Sequence, residues 1–576
     1  MTNFSKYFLT ASLLLLPGIL TAQPLDPAAL TKPLGDSWPT YSGDYSGKRY
    51  SSLAQANQTT VKNLSLAWIS SRLVAGVAAA GGGRGGFGGG GFGGRGGGGG
   101  GAATIVGGEG PDNPNAMTSA GSMRGSILEV NGVLYGSAPD NAWAIDAHDG
   151  HELWHYFWKT KGGTHIGSRG LGMWGNWLYM ETPDDYLICL DAATGKERWH
   201  KAISDFSEQY FSTMAPIVIG NHVLVGTGDD LDAPGFLQSY DPETGDLQWK
   251  FYTTPQKVGD PGLDTWKSLD AAQHGGGQVW VDGSYDPETH YYIFGTGNPT
   301  PAYTSQSRDG DDLYTGCLVA VNVDTGKMAW YYRTSPHDTH DWDSTQTPIL
   351  ADMPFNGRIR KIVMTGARNG YFFVLDRVTG EHLVTGRLAD SPNWTYTGAK
   401  EYNAKGQPLR DPAKDYDIGG ALVSPTNSGV VNWPPAAFSP DTGLFYVPTT
   451  EAYSLYYLTE TDPRGAMGLG GKTESGGGTV ASYLTAVDYK TGKIKWQHEY
   501  PGVGGQGGGS PLATAGKIVF AGDAGGNLVA YDAFTGKILW HSHIGNVAAA
   551  PETYMLDGHQ YVLASSGDQL FAFIMN

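Results

Sequence analysis

Apolar and polar residues alternate along most of the chain in short runs, and one kind of turn signal interrupts them. The stretches AIDAHDGHELW ending at Trp154, LICLDAATGKERW at Trp199, LQSYDPETGDLQW at Trp249 and LVAVNVDTGKMAW at Trp330 share one layout. LTAVDYKTGKIKW at Trp496 and LVAYDAFTGKILW at Trp540 repeat it, and FFVLDRVTGEHLV at Val384 is a degenerate copy. Each opens on alternating apolar residues, the period of a half-buried strand. Asp-x-x-Thr-Gly or a close variant follows, then a second short apolar stretch. The Asp or Asn bonds the backbone ahead of it, and the Gly supplies the positive φ of a tight hairpin. The Trp sets one large flat surface at a fixed place on the outer strand, where the next unit can pack.

Trp154, Trp199 and Trp249 stand 45 and 50 residues apart, the length of a four-stranded blade. The longer gaps from Trp249 to Trp330 and from Val384 to Trp496 must hold insertions, and residues 444–447 read as an early strand of the later unit. Seven units are visible. The two ends of the chain supply an eighth: residues 561–563 and 570–574 need one more strand, and LSLAW at 64–68 resembles the second half of a unit lacking its first. The pattern predicts an all-β fold, an eight-bladed β-propeller with tryptophan-docking motifs, its ring closed by N- and C-terminal strands. Such closure removes free strand edges.

Composition narrows the function. Apolar residues make up 40% and charged residues 16%, enough for a large core and too ordered for a disordered chain. Asp plus Glu is 56 against 38 Lys plus Arg, a net charge of -18, which repels nucleic acid and anionic lipid. Residues 1–22 read as a secretory signal: Lys6, an apolar run over 8–20, then a small residue at Ala22. The run is too short to span a bilayer and Pro17 interrupts it, so residues 23–576 are expected as one exported, periplasmic propeller domain. Residues 76–110 centre on GGGRGGFGGGGFGGRGGGGGG and read as a flexible insertion. The two cysteines, Cys189 and Cys317, are able to pair in an oxidising compartment but their number does not decide it. They form no Cys-x-x-Cys-His, the signature of a covalently attached c-type haem.

The densest polar segment is SPHDTHDWDSTQ, residues 335–346. In an extended segment Asp341 and Asp343 point to the same side. Two carboxylates converging on one point repel unless a cation sits between them. A solvated acidic loop is the plainer reading of these residues alone.

From Trp38 onward the chain resembles the PQQ-dependent alcohol dehydrogenases, the quinoproteins that include methanol dehydrogenase. The stretch WPTYSGDYSGKRYSSLAQ (38–55), then GGGQVWVDGSYDP (275–287), FGTGNPTP (294–301) and SPHDTHDWD (335–343) carry the resemblance. It implies Trp280 under the quinone ring of pyrroloquinoline quinone (PQQ), Asn298 on a metal ion and Asp341 as the catalytic base. GSRG (167–170) implies Arg169 on a PQQ carboxylate, and STMAP (212–216) implies Thr213 as a further contact. GTGDDLDAPGF (226–236) points to Asp230 as a metal carboxylate, with Asp229 the fallback. TGARNGYFFVLDR (365–377) places Arg368 at the quinone oxygens, and VNWPP (431–435) makes Asn432 a cofactor contact. Asp343, two residues after Asp341, resembles the lanthanide-using members and favours a lanthanide over Ca²⁺, because an extra carboxylate suits a trivalent hard ion. His337 and His340 read as orienting or structural groups.

The sequence also departs from that family. Its adjacent cysteine pair, which covers the cofactor opposite the Trp, is replaced by Gly163 and Thr164. A glutamate that holds a PQQ carboxylate is replaced near Arg124, which offers the anionic cofactor a different partner. The expected activity is oxidation of an alcohol with electrons passed to an external cytochrome c. The alternatives are a sugar or polyol dehydrogenase with the same cofactor, and a non-catalytic scaffold that has lost it.

Overall fold

The computed structural model describes residues 24–76, 103–110, 122–163, 165–228, 232–344, 346–415, 419–457, 472–501, 509–547 and 549–576. The expected signal segment and the centre of the Gly-rich insertion lie outside them. Within them the chain is almost entirely β, with one five-residue α-helix at Leu269–Gln273. The strands form eight sheets of four or five strands each, and most sheets take their four core strands consecutively from the chain.

The repeated turn behaves as its residues require. In the sheet built from Gly172–Trp174, Trp177–Glu181, Tyr186–Asp191 and Glu197–Ala202, Asp191 accepts from the backbone N–H and the hydroxyl of Thr194 at 2.8 and 2.7 Å. Gly195 follows with φ +67°. That glycine is needed twice over, because a Cβ there would lie 2.6 Å from the Trp154 ring of the preceding sheet. The same indole donates to Ala192 O at 3.0 Å. Trp68 meets Ala147 O, Trp249 meets Val323 O, Trp330 meets Arg377 O and Trp496 meets Ala533 O in the same way. Each tryptophan thus buries its ring on the next sheet's turn glycine and satisfies its one N–H there, which welds neighbouring sheets together.

Strands from the two ends of the chain share one sheet. Ser65–Ile69 pairs antiparallel with Gln569–Ile574, completing a four-stranded sheet with Glu552–Leu556 and His559–Ser566. Trp540 packs edge-on against Phe573 of that sheet at 5.2 Å. Two extra strands add in parallel: Tyr50–Ser51 on Leu512–Thr514, and Thr104–Gly107 on Glu152–Trp158. The latter lies in the span expected to be flexible. Its Thr-Ile-Val is β-branched and follows the glycine run, so it has the side chains that a strand edge can hold. Cys189 and Cys317 sit buried in different sheets as free thiols, so they do not pair.

Near the seam lies Glu552, buried, accepting from Ser126 Oγ and Ile127 N at 2.7 Å each. Burial pushes its carboxyl up to about 8 against the pull of Arg49. An acid raised in the fold holds its proton where the unfolded chain has lost it. Its contribution to stability is therefore full below about 4.5 and is lost as pH rises through about 8. Glu552→Gln removes that proton linkage. We expect thermal unfolding midpoints of wild type and variant to diverge from pH 5 to pH 9, with the variant relatively more stable at the alkaline end.

Candidate active site

Arg169, Thr213, Trp280 and the Asp341–Asp343 pair come from four separate stretches of sequence, yet each lies in the segment leading into the first strand of a sheet. Those first strands are Gly172–Trp174, Ile217–Ile219, Ser284–Asp286 and Ile349–Phe355. Asn432 lies between Ala421–Val423 and Ala437–Ser439, two strands of another sheet, and Arg368 sits on the turn between Arg358–Gly366 and Tyr371–Asp376. One cavity of about 320 Å³ gathers them all, lined by Arg169, Thr213, Trp280, Asp341, Asp343, Arg368 and Asn432. Its size suits a small cofactor.

The loop 335–346 sorts its side chains by alternation. Asp338 is buried and accepts from the backbone N–H of His340 and Trp342 at 3.1 and 2.7 Å, which shapes the loop. His340 stacks on Trp342 at 4.2 Å and 11°, and Trp342 donates to Thr426 O at 2.9 Å. Burial pushes His340 down to about 4, so it is a neutral packing group. His337 bonds Gly310 O. Asp341 and Asp343 are left on the cavity side, and Asp341 takes the left-handed φ of +67°, a conformation that Asp tolerates better than most residues.

Asp343 is the hub. Its Oδ2 accepts from the Trp280 indole at 2.9 Å and faces Arg368 Nη2 at 3.0 Å, while Oδ1 accepts from Asn298 N at 2.6 Å. Arg368 also reaches Asp341 at its carbonyl, 3.0 Å, and its Oδ1, 3.3 Å. One guanidinium thus spans two carboxylates, and one carboxylate fixes the indole. The guanidinium carbons of Arg169 and Arg368 lie 4.5 and 5.3 Å from the Trp280 ring centre. Arg169 is anchored by Thr213 through both the main-chain carbonyl, 3.0 Å, and the hydroxyl. Thr213 in turn donates to Trp280 O at 3.2 Å. Burial lowers Arg169 to about 10, against the pull of Tyr41, Asp282 and Glu181, so it stays charged at neutral pH.

Two of the expected residues stand differently. Asn298 meets the site through its backbone N–H; its side-chain amide donates to Pro299 O at 3.0 Å and it is not among the cavity's lining residues. Arg124 is exposed, between buried Met123 and Gly125, and does not line the cavity, so it does not stand where a cofactor-holding Glu would. Asp230 and Asp229 lie outside the described residues. Asn432 does line the cavity, with its amide tied into its own loop by Ser428 O at 2.9 Å and Trp433 N at 2.7 Å.

Other contributors were not picked out from the sequence. His165, Ile166, Gly167, Phe211, Asn427 and Ser428 complete the lining, and the Trp433 ring centre lies 5.1 Å from the Arg169 guanidinium. Trp433 was visible within VNWPP, but its pairing with Arg169 joins residues far apart in sequence. A second cavity of about 230 Å³ shares Asn427, Ser428 and Asn432 with the first and continues past Pro448 and Tyr453.

The residues present fit the two absent groups that the sequence implied. Arg169 has a buried Nε with no hydrogen-bond partner among the described residues, and two guanidiniums over one indole make a place for a flat anion. The oxygens of Asp341 and Asp343 are hard donors of the kind Ca²⁺ and trivalent ions take.

Similarity to known proteins points the same way. A family model described as the PQQ glucose/ethanol/alcohol dehydrogenase β-propeller domain matches residues 108–418, and one described as outer membrane protein assembly factor BamB matches 480–574. The chain is 31% identical to quinohemoprotein alcohol dehydrogenase ADH IIB of Pseudomonas putida, over 97% of this chain and 78% of that protein. The crystal structure of quinohemoprotein alcohol dehydrogenase from Comamonas testosteroni superposes with a TM-score of 0.80 at 27% identity, covering 96% of this chain and 82% of that one. A europium-containing methanol dehydrogenase superposes with a TM-score of 0.76 at 26% identity, covering 93% and 90%.

Proposed function

The chain belongs to the PQQ-dependent alcohol dehydrogenase family, and from that footing we propose that it oxidises an alcohol to an aldehyde or ketone at the Trp280–Asp341 cavity. The eight sheets are read as eight blades of a closed ring, with this cavity at one end of the central axis. Exported by its N-terminal segment, the enzyme works in the periplasm and hands electrons to a separate cytochrome c. The observation that carries the site is the hydrogen-bonded chain Trp280–Asp343–Arg368–Asp341 around one cavity.

PQQ would be held by Arg169, Thr213, Arg368 and Asn432 beside Trp280, and one metal ion by Asp341 and Asp343, with Asp230 as the further carboxylate. When bound, PQQ supplies the two-electron acceptor and the metal a Lewis acid. A lanthanide is favoured over Ca²⁺, on Asp343 beside Asp341 and on the europium in the methanol dehydrogenase relative. The chain's own residues do the rest. Asp341 Oδ takes the proton of the substrate hydroxyl. Arg368 keeps that carboxylate aimed through its Oδ1 and main-chain carbonyl, and its charge stabilises oxyanion character beside it. Asp343 pins the indole so that the floor does not rotate. The alcohol approaches through the adjoining cavity past Asn427 and Ser428.

The test is reconstitution. The full chain is incubated with PQQ and either Ca²⁺ or La³⁺, its absorbance recorded, and dye reduction followed across alcohols, aldehydes and sugars. Saturable PQQ uptake with metal-dependent alcohol oxidation is expected, stronger with La³⁺. No PQQ uptake with either ion ends the enzymatic assignment of this cavity, and turnover confined to sugars redirects the substrate.

A further inference from the structure

The cavity lacks the cysteine pair that its relatives' resemblance leads one to expect, and the backbone leaves no room for it. A Cβ on Gly163 would lie 2.7 Å from Pro183 O and 3.1 Å from both Pro183 Cβ and Ile166 Cδ1. A backbone carbonyl cannot swing aside as a side-chain tip can, so any side chain at 163 would force the loop off Pro183. The chain's two thiols are free and buried in strands. Neither lines the cavity.

Two rings stand in this part of the wall. His165 and Phe211 both line the cavity, with ring centres 4.4 Å apart and planes inclined by 39°. They belong to two segments that run side by side and are tied together. Arg169 N donates to Thr213 O at 3.1 Å, and Gly167 passes so close to Thr213 that a Cβ there would sit 3.2 Å from its methyl. Phe211 is buried and exchanges backbone hydrogen bonds with Gly228 at 3.0 and 3.4 Å. It is a fixed platform. His165 is exposed and rests on it. An exposed imidazole backed by a rigid aromatic, at the mouth of a cavity holding Trp280 and two guanidiniums, is a surface for a flat conjugated ligand.

The geometry points to His165, backed by Phe211, as the residue that packs against bound PQQ and closes its slot without any covalent bond. This rests on the reading that PQQ occupies the cavity. It differs from a disulfide cover in one testable respect: cofactor retention is independent of thiol chemistry.

The experiment measures PQQ affinity and not turnover. The full-length apo chain with La³⁺ or Ca²⁺ is titrated with PQQ, following tryptophan fluorescence and, separately, equilibrium dialysis. His165→Ala, His165→Phe and wild type are compared, and a wild-type sample is reduced, alkylated and freed of reagent before titration. His165→Ala should raise Kd by about tenfold, the upper range for one aromatic contact. His165→Phe should restore it to within about twofold, and alkylated wild type should bind as untreated protein does. Because His165 is exposed, the variants should keep the wild-type melting profile. Tight binding by wild type and an equal Kd for His165→Ala overturns the cover alone. So does weakening on reduction and alkylation. Failure of wild type to bind PQQ removes both the cover and the reading beneath it.

Discussion

Asp341→Asn is expected to lower kcat for alcohol oxidation by about 10²–10⁴-fold, the range for loss of a positioned base, while PQQ and metal remain bound. The amide keeps the shape of the carboxylate and an oxygen for Arg368, which reaches Asp341 Oδ1 at 3.3 Å. It also keeps the backbone carbonyl contact at 3.0 Å. What it loses is the capacity to accept a proton. The measurement is dye-linked turnover on protein whose PQQ and metal content has been quantified, so that an empty site is not mistaken for a slow one. A fully loaded variant turning over at the wild-type rate removes Asp341 from the chemistry.

The second large effect is structural as well as functional. Asp343→Ala strips the acceptor from the Trp280 indole and from Asn298 N, and takes away one of the two carboxylates that face Arg368. The Asp343 and Arg368 side chains are 4% and 12% exposed, so solvent does little to replace what is lost. Breaking a buried pair from one side costs about 3–5 kcal/mol, and each orphaned N–H adds to it. We expect a large fall in the urea midpoint and loss of metal affinity. Asp343→Asn, which still accepts hydrogen bonds but carries no charge, should recover much of the stability and little of the affinity. If Asn binds the ion as tightly as Asp does, the Asp343 charge serves only to hold Trp280 and Arg368.

The repeats were legible because each is a local statement. Asp191, Thr194 and Gly195 lie within five residues, and the hairpin they make follows from their own chemistry. The same holds for the alternation that sends Asp341 and Asp343 one way and His340 and Trp342 the other. The hub role of Asp343 was not legible, since its partners come from positions 280, 298 and 368 and meet it only once two sheets are packed. The same is true of His165 against Phe211 and of Arg169 between Trp280 and Trp433. Asn298 shows the opposite case. Its motif was evident and its place beside Asp343 follows, but the contact is made by the main chain, which no residue type announces.

The pairing of Ser65–Ile69 with Gln569–Ile574 has a kinetic meaning. Leu570 N reaches Ser70 Oγ across 500 residues of sequence, so this sheet is complete only after all the residues between them have been made. Until then Ser65–Ile69 lacks its strand partner. Removing residues 569–574 would therefore leave Ser65–Ile69 unpaired at one edge of that sheet.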